Sequence, residues 1–544
     1  NEVNRAVTAS VTGGSITATG AVSVVASNDM RLTSSVDTLS LTTGSTVVQT
    51  NTISFGGSLS YNEMNGDVTA FIADSDVVSA TTVTVQATNN ALMDARSQAE
   101  FRVAGGASSV LGVGLSFNLM GYDIGSALSI TTLAIDSLLG TGLADASGDM
   151  STYAYISNTD VNATDNVLVQ ADNTSLVNAT VSNTASSAAL SNNLLNNATS
   201  AGAAFILANN KVLSKSKAEI LNSAAGESVA SDGGNVTVSA TDTAKIASNA
   251  KVVTEATSTN DGGLTAIDQA LGLLSPADFR TNGTTTLSGG LIPSSVDNEQ
   301  AITFGTRVSL IDDLDGLPGG GEYVPTDPTS DAAPGAVYVY LGEAGTVNLA
   351  TTNYSNKDIW KEVLETSLVP TGFNLTSSDS NAVGGLVARN EVDSAATARV
   401  ASATITADGD VTVQAKAVTE NTSVGDVSGV SSGGSSIDGN GDSLAAGGAL
   451  VTNTVLSEAL AEITNSTVTS GGTVKVDAEN SALLDAQLSN AMSAGAEAVG
   501  ITVAFNTLGY APTNLLFQAI DALIGTDIGP ADSSNATARI TGSI

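Results

Sequence analysis

The chain has 544 residues, of which 54 are acidic, 18 are basic and none is cysteine or histidine, so its formal net charge is −36. The missing residue types exclude disulfides, thiol chemistry, histidine-ligated metals and histidine general bases. The negative charge disfavours nucleic acid and anionic membranes as partners. Disorder is disfavoured as well, because 42% of the residues are hydrophobic and recur periodically.

A five-residue signature, V-x-V-x-A, recurs along the chain. Its copies begin at Val22, Val83, Val167, Val236, Val411 and Val474. Recurrence of one unit indicates a repeat architecture, in which each unit buries its apolar face against its neighbours. We predict that these six valines point inward at corresponding positions of successive coils.

Two further strand-like pieces precede the signature. A glycine-led stretch ends near an asparagine, as in residues 56–62, 384–390 and 447–453, and an A-x-[IV] piece follows, as at Ala398 and Ala461. All three pieces alternate apolar with polar residues, which is typical of strands with one buried face. The sequence therefore predicts an all-β fold, a parallel β-solenoid (β-helix) of stacked degenerate repeats.

Short helices are expected to interrupt these strands. Residues 134–140, 266–272 and 519–525 share a pattern with apolar residues at positions one, two, five and six and a terminal glycine. We expect them to form caps or buttresses on the side of the solenoid, the first within a helical insertion near 124–140. No transmembrane segment is predicted, because the uncharged runs at 103–122 and 498–520 contain polar residues, Gly or Pro rather than ~20 continuous apolar residues.

Residues 275–380 depart from the repeat and predict a small inserted β-rich domain. They hold seven of the nine prolines and the single tryptophan. Insertions often carry the binding face of a repeat protein, so Trp360, Tyr354, Tyr338 and Tyr340 are candidate interaction residues. If they bind a ligand, we expect Trp360 and Tyr354 to be at least partly exposed beside a groove. The alternative is that they form the minimal core of a spacer.

The predicted domains are therefore a solenoid over 1–274, the insert over 275–380 and a solenoid over 381–544. The last of these is a partial second copy of residues 1–156, because features such as N-E-V recur at an offset of about 389 residues. The simplest interpretation is that the chain is a segment of a longer repetitive protein or a processed subunit of one.

Two groups of oxygen-bearing side chains are candidates for chemistry. Asp438, Asn440 and Asp442 alternate as ligands do in an EF-hand loop and form a candidate Ca²⁺ site, although Ser443 and Ala449 replace the glycine and glutamate of that motif. The alternative is a turn with local hydrogen bonds.

The second group consists of the acidic residues of segment 312–322. Polysaccharide-active β-helix enzymes use such carboxylates together with basic and aromatic groups. Here only Arg307 is near, so we predict no catalytic residue and no enzyme.

The repeat A-R-V-A-S-A-T-I-T-A-D-G-D-V-T-V-Q-A at 398–415 resembles the repeats of giant extracellular proteins of Gram-negative bacteria, the filamentous-haemagglutinin-like proteins and β-solenoid adhesins. The resemblance implies secretion and a surface, stalk or filament role. We therefore expect a structural segment of an extracellular filament whose partner is itself, by head-to-tail assembly or by continuation of a longer chain. The alternative is an adhesin whose insert binds glycans or cell-surface proteins.

Overall fold

The computed structural model describes residues 1–43, 51–105, 107–122, 150–190, 198–222, 226–259, 299–302, 307–309, 337–340, 345–349, 351–354, 360–363, 378–433, 442–509 and 534–543. Within these ranges the chain is all-β and forms a parallel β-solenoid, which confirms the predicted fold class. The same ranges contain no helix, and the helices predicted at 134–140, 266–272 and 519–525 lie outside them.

Each coil of the solenoid passes through three parallel sheets, here called the first long sheet, the corner sheet and the second long sheet, with strands numbered in chain order. The first long sheet contains β1 (Glu2–Asn4), β2 (Val7–Thr12), β5 (Asn51–Asn65), β6 (Val68–Ala73), β9 (Ala107–Met120), β10 (Ser151–Ser157), β13 (Ala198–Leu221), β21 (Ser378–Ala401), β24 (Ser443–Thr464), β27 (Glu497–Leu508) and β28 (Asn535–Thr541). The corner sheet contains β3 (Ser15–Thr17), β7 (Asp76–Ala80), β11 (Asp160–Ala163), β14 (Ser228–Ser231), β22 (Thr404–Ala407) and β25 (Thr467–Ser470). The second long sheet contains β4 (Val22–Thr43), β8 (Val83–Gly105), β12 (Val167–Leu190), β15 (Val236–Thr259), β23 (Val411–Ser432) and β26 (Val474–Ala494).

The two long sheets face each other, and the corner sheet closes one end between them. The six signature valines pair directly in the second long sheet, in the order Val22, Val83, Val167, Val236, Val411 and Val474. The first five are at most 8% exposed, and Val474, in the outermost coil, is 40% exposed. The predicted inward alignment of the signature is therefore confirmed, with solvent reaching it only at the end of the stack.

In the glycine-led stretch of β5 the apolar side chains point out of the solenoid, whereas the alternating pattern predicts that they are buried. In β5 the inward residues Ser54, Ser58 and Ser60 are at most 5% exposed, whereas Phe55 is 71% exposed on the outer face. The reason is that hydroxyl groups meet across the core at this end, for example Ser60 and Ser34 at 3.2 Å. Close approach of the two sheets requires small side chains, and paired hydroxyls satisfy each other's hydrogen-bonding groups.

The turn that leaves the first long sheet has one backbone geometry in most coils. The residue directly after the strand has positive φ at Gly13, Asp74, Asn158, Ser402, Asn465 and Gly542, between 45° and 63°. Its N–H still donates to the next coil, as from Ser402 to the carbonyl of Thr464 at 3.0 Å. Glycine, asparagine and aspartate tolerate this left-handed region best, so Ser402 is the strained member of the row.

The segment predicted as an insert contains antiparallel strands, unlike the solenoid. Strand β16 (Glu299–Ile302) pairs with β19 (Gly345–Asn348), and β18 (Val337–Tyr340) pairs with both β17 (Arg307–Ser309) and β20 (Trp360–Val363). The strand character agrees with the expected β-rich composition, and the boundaries 275–380 stay a prediction.

We expect Val236→Asp to lower the free energy of unfolding by more than about 3 kcal/mol, because it buries an unpaired charge in the middle of the stack. The same substitution at Val474 should cost less than about 1 kcal/mol, because solvent reaches that position. Urea unfolding followed by circular dichroism measures both. Equal losses at the two positions would contradict the inward alignment as the cause.

We expect Ser402→Asn to raise the free energy of unfolding by about 0.5–1 kcal/mol, because asparagine adopts the left-handed conformation at lower cost. Asn158 and Asn465 already occupy the equivalent turn positions. Asn465→Ser is the matched reverse change and should destabilise by a similar amount. Thermal unfolding of the two variants checks the sign, and a change in the same direction in both would refute the explanation.

Candidate functional site

An asparagine ladder runs through the first long sheet across seven coils. Its members are Asn1, Asn62, Asn118, Asn210, Asn390, Asn453 and Asn506. In each step the Nδ2 of one residue donates to the Oδ1 of the next, over 2.7–3.0 Å. A side-chain amide both donates and accepts, so identical amides stacked in register satisfy each other.

This ladder lies inside the solenoid and has one direction. The five middle members are fully buried, and every donor points toward the C-terminal coils. Hydroxyls of the opposite sheet add contacts, such as Ser423 Oγ to Asn453 Oδ1 at 2.9 Å. The arrangement places a continuous neutral hydrogen-bonded row within the core, and it fixes the register of each coil against the next.

A second, interrupted ladder lies in the second long sheet. Asn28 donates to Asn89 at 3.3 Å, Asn89 to Asn173 at 2.9 Å, and Asn173 to Asp242 at 3.2 Å. The next residue in register after Asp242 is Ala417. A carboxyl group therefore replaces the amide in the fourth coil.

The outer face of the first long sheet carries a row of alternating charges. Glu219, Arg399, Glu462 and Arg539 occupy paired positions on successive strands. Glu462 forms ion pairs with both neighbours, at 2.8 Å from Arg399 Nε and at 2.6 Å from Arg539 Nη2. Opposite charges at a spacing of about 4.8 Å attract each other, so the alternation of sign stabilises this row.

The four aromatic candidates of the insert are buried in one cluster. Trp360 and Tyr354 are each 1% exposed, with ring centroids 4.7 Å apart, and Tyr340 and Tyr338 lie beside them. The polar atoms point to internal partners, since Trp360 Nε1 donates to Thr352 Oγ1 at 3.1 Å and the Tyr354 hydroxyl donates to the Leu349 carbonyl at 2.7 Å.

This burial does not fit the exposed aromatic face that ligand binding by these residues requires. The rings instead supply the apolar core that a segment of short antiparallel strands otherwise lacks. The sequence could not distinguish these roles, because aromatic residues are typical of both binding faces and small cores.

The candidate Ca²⁺ ligands Asp438 and Asn440 lie outside the described residues. Asp442 is described and joins two coils, since its N–H donates to Asp379 Oδ1 at 3.0 Å and its carbonyl accepts from the Ser380 N–H at 2.9 Å. Elsewhere in the described part of the chain, no group of three acidic side chains is arranged to hold a metal ion. The carboxylates at 312–322 also fall outside the described ranges.

An apolar groove of about 590 Å³ opens on the outer face of the first long sheet. Gly385 and Gly448 form its floor, and Phe205 and Ile501, which are 41% and 63% exposed, flank it. Its other lining residues are aliphatic. The groove therefore offers no acid, base or nucleophile for catalysis.

Comparison with known proteins adds no identification. No protein-family model, no curated protein and no solved structure matches the chain. The resemblance to filamentous-haemagglutinin-like proteins stays a prediction. Among the residues whose structure is described, none forms a helix that is long and apolar enough to cross a membrane.

The ladders are the feature that sequence reasoning missed. The glycine-led stretches at 56–62, 384–390 and 447–453 all end in a ladder asparagine, so the signal was present. An asparagine at the end of a strand pattern also indicates a turn. Only the pairing of coils separates the two interpretations.

We expect Asn210→Ala to lower the free energy of unfolding by about 2–4 kcal/mol, because it leaves the buried Asn118 Nδ2 and Asn390 Oδ1 without their ladder partner. Asn506→Ala removes one bond at an exposed position and should cost less than about 1 kcal/mol. Chemical denaturation measures both. Similar losses for the two variants would show that the ladder does not stabilise the core.

Proposed function

We propose that this chain is a structural segment of an extracellular filament or stalk, built by end-to-end continuation of the β-solenoid. The observation that carries the proposal is the seven-membered asparagine ladder, with its single donor direction. A row of identical amides is satisfied at any length, so a coil that has asparagine at this position adds to the stack without changing the coils already present.

The remaining contacts support the same role. The aliphatic core at the corner end repeats Val, Ala and Ile at paired positions, so every coil presents nearly the same surface to the next. Stability in such a stack is a sum of coil and interface contributions, and it does not depend on one central core. With a net charge of −36, the outer surface repels other copies sideways, which favours growth along the axis over lateral clumping.

Among the described strands, β26 is the last strand of the second long sheet. Strand β26 pairs with β23 on one side, and along its length Leu484 lies on the inward face and is partly buried, whereas Leu483 is 54% exposed on the outer face. An open parallel edge with a half-covered apolar core is a template for another strand.

We expect concentrated protein to form unbranched fibres by electron microscopy, with an axial X-ray reflection near ~4.8 Å because the strands lie across the axis. Leu484→Glu should prevent the fibres, since it places a charge on the stacking surface. Leu483→Glu, its neighbour on the outer face, should not. The proposal fails if the unaltered protein stays monomeric at every concentration, or if the two variants form fibres to the same extent.

A further inference from the structure

Asp242 is the one carboxyl member of the second ladder among the described coils, and it is completely buried. Both of its oxygens accept hydrogen bonds from neutral groups. Ser214 Oγ donates to Oδ1 at 2.7 Å, and Asn173 Nδ2 donates to Oδ2 at 3.2 Å. These contacts place the carboxyl between the two long sheets, at the centre of the stack.

The surroundings of Asp242 are poor in compensating charge. Strand β12 presents Asn173, β13 presents Ser214 and β23 presents Ala417, all of them neutral. The charged group that acts on Asp242 is another carboxylate, Asp393 of β21, which repels it. A buried carboxylate with two neutral donors and no cation is stabilised far less than one in water.

The protonated carboxyl fits the same place better. Its hydroxyl donates and its carbonyl oxygen accepts, so it provides the pair of functions that an asparagine provides in the ladder. The Ser214 hydroxyl can rotate to accept this donor. The neutral form therefore completes the ladder in the fourth coil, and the ionised form leaves a buried charge there.

We propose that Asp242 is a proton-binding group that makes the fourth coil the pH-sensitive joint of the solenoid, tightly packed when Asp242 is neutral and loosened when it ionises. This role is independent of filament formation. The pKa of Asp242 is raised from 3.8 to about 7, chiefly by burial and to a smaller extent by repulsion from Asp393, and the bonds from Ser214 and Asn173 oppose this rise in part. The neutral form is thus accessible under mildly acidic conditions.

The sign of the effect follows from proton binding. Between pH 4 and 7 the folded chain holds a proton on Asp242 that the unfolded chain has lost. The contribution of Asp242 to stability is therefore full below about pH 4 and is lost as the pH rises to about 7.

The test compares the unaltered chain with Asp242→Asn by urea unfolding between pH 5 and pH 8. The folding equilibrium constant of the unaltered chain, relative to that of the variant, should fall about tenfold for each pH unit and level off above about pH 7. Native-state hydrogen exchange, expressed as protection factors, should show loss of protection in β12 and β15 above neutral pH in the unaltered chain only.

Asp232→Asn is the matched control, because Asp232 is an exposed carboxylate in the same coil, and it should leave the pH profile unchanged. If Asp242→Asn does not fold, the comparison is made with Asp242→Ala instead, since alanine occupies the paired position in the next coil. An unchanged profile in the folding variant would overturn the proposal. The proposal is also overturned if Asp232→Asn reproduces the change in the pH profile, or if protection against exchange is lost evenly over all coils.

Discussion

Parallel in-register stacking is the constraint on which the rest of this structure depends. Each inward position lies about 4.8 Å from its counterpart in the next coil, so each side chain packs against the side chain at the same position of that coil. Valine on valine and alanine on alanine meet this condition by contact alone, as in the signature rows. Around Glu462 charged residues meet it by alternating in sign, since both neighbours of this carboxylate are arginines.

The polar residues of the core follow from the same constraint. The long sheets enclose aliphatic bands, a methionine-containing band and rows of serine and asparagine whose members hydrogen-bond to one another. Amides suit this use because they are neutral and self-complementary, whereas a carboxylate is not. The cost of burying polar groups is offset by hydrogen bonds, and the gain is a defined register that apolar rows do not impose.

The insert is stabilised differently from the solenoid, because its strands do not stack in parallel coils. Its strands pair antiparallel and are short, so it depends on a few large side chains for a core. Trp360 and Tyr354 are large side chains that are each 1% exposed, and their polar atoms have partners within the same segment. Aromatic residues are therefore concentrated where repetition cannot supply the packing.

The sequence by itself determined the parallel solenoid, the six aligned valines and the change of architecture after the fourth coil, because strand period and repeat spacing are local properties. Tertiary structure decided the rest. Phe55 points outward and Ser60 inward because hydroxyls of the facing strand, and not the hydropathy of β5, set that side. Asn210 bonds to Asn390 across 180 residues of sequence, and no local pattern carries that pairing, since an amide is a ladder member only when another coil places its counterpart at hydrogen-bonding distance.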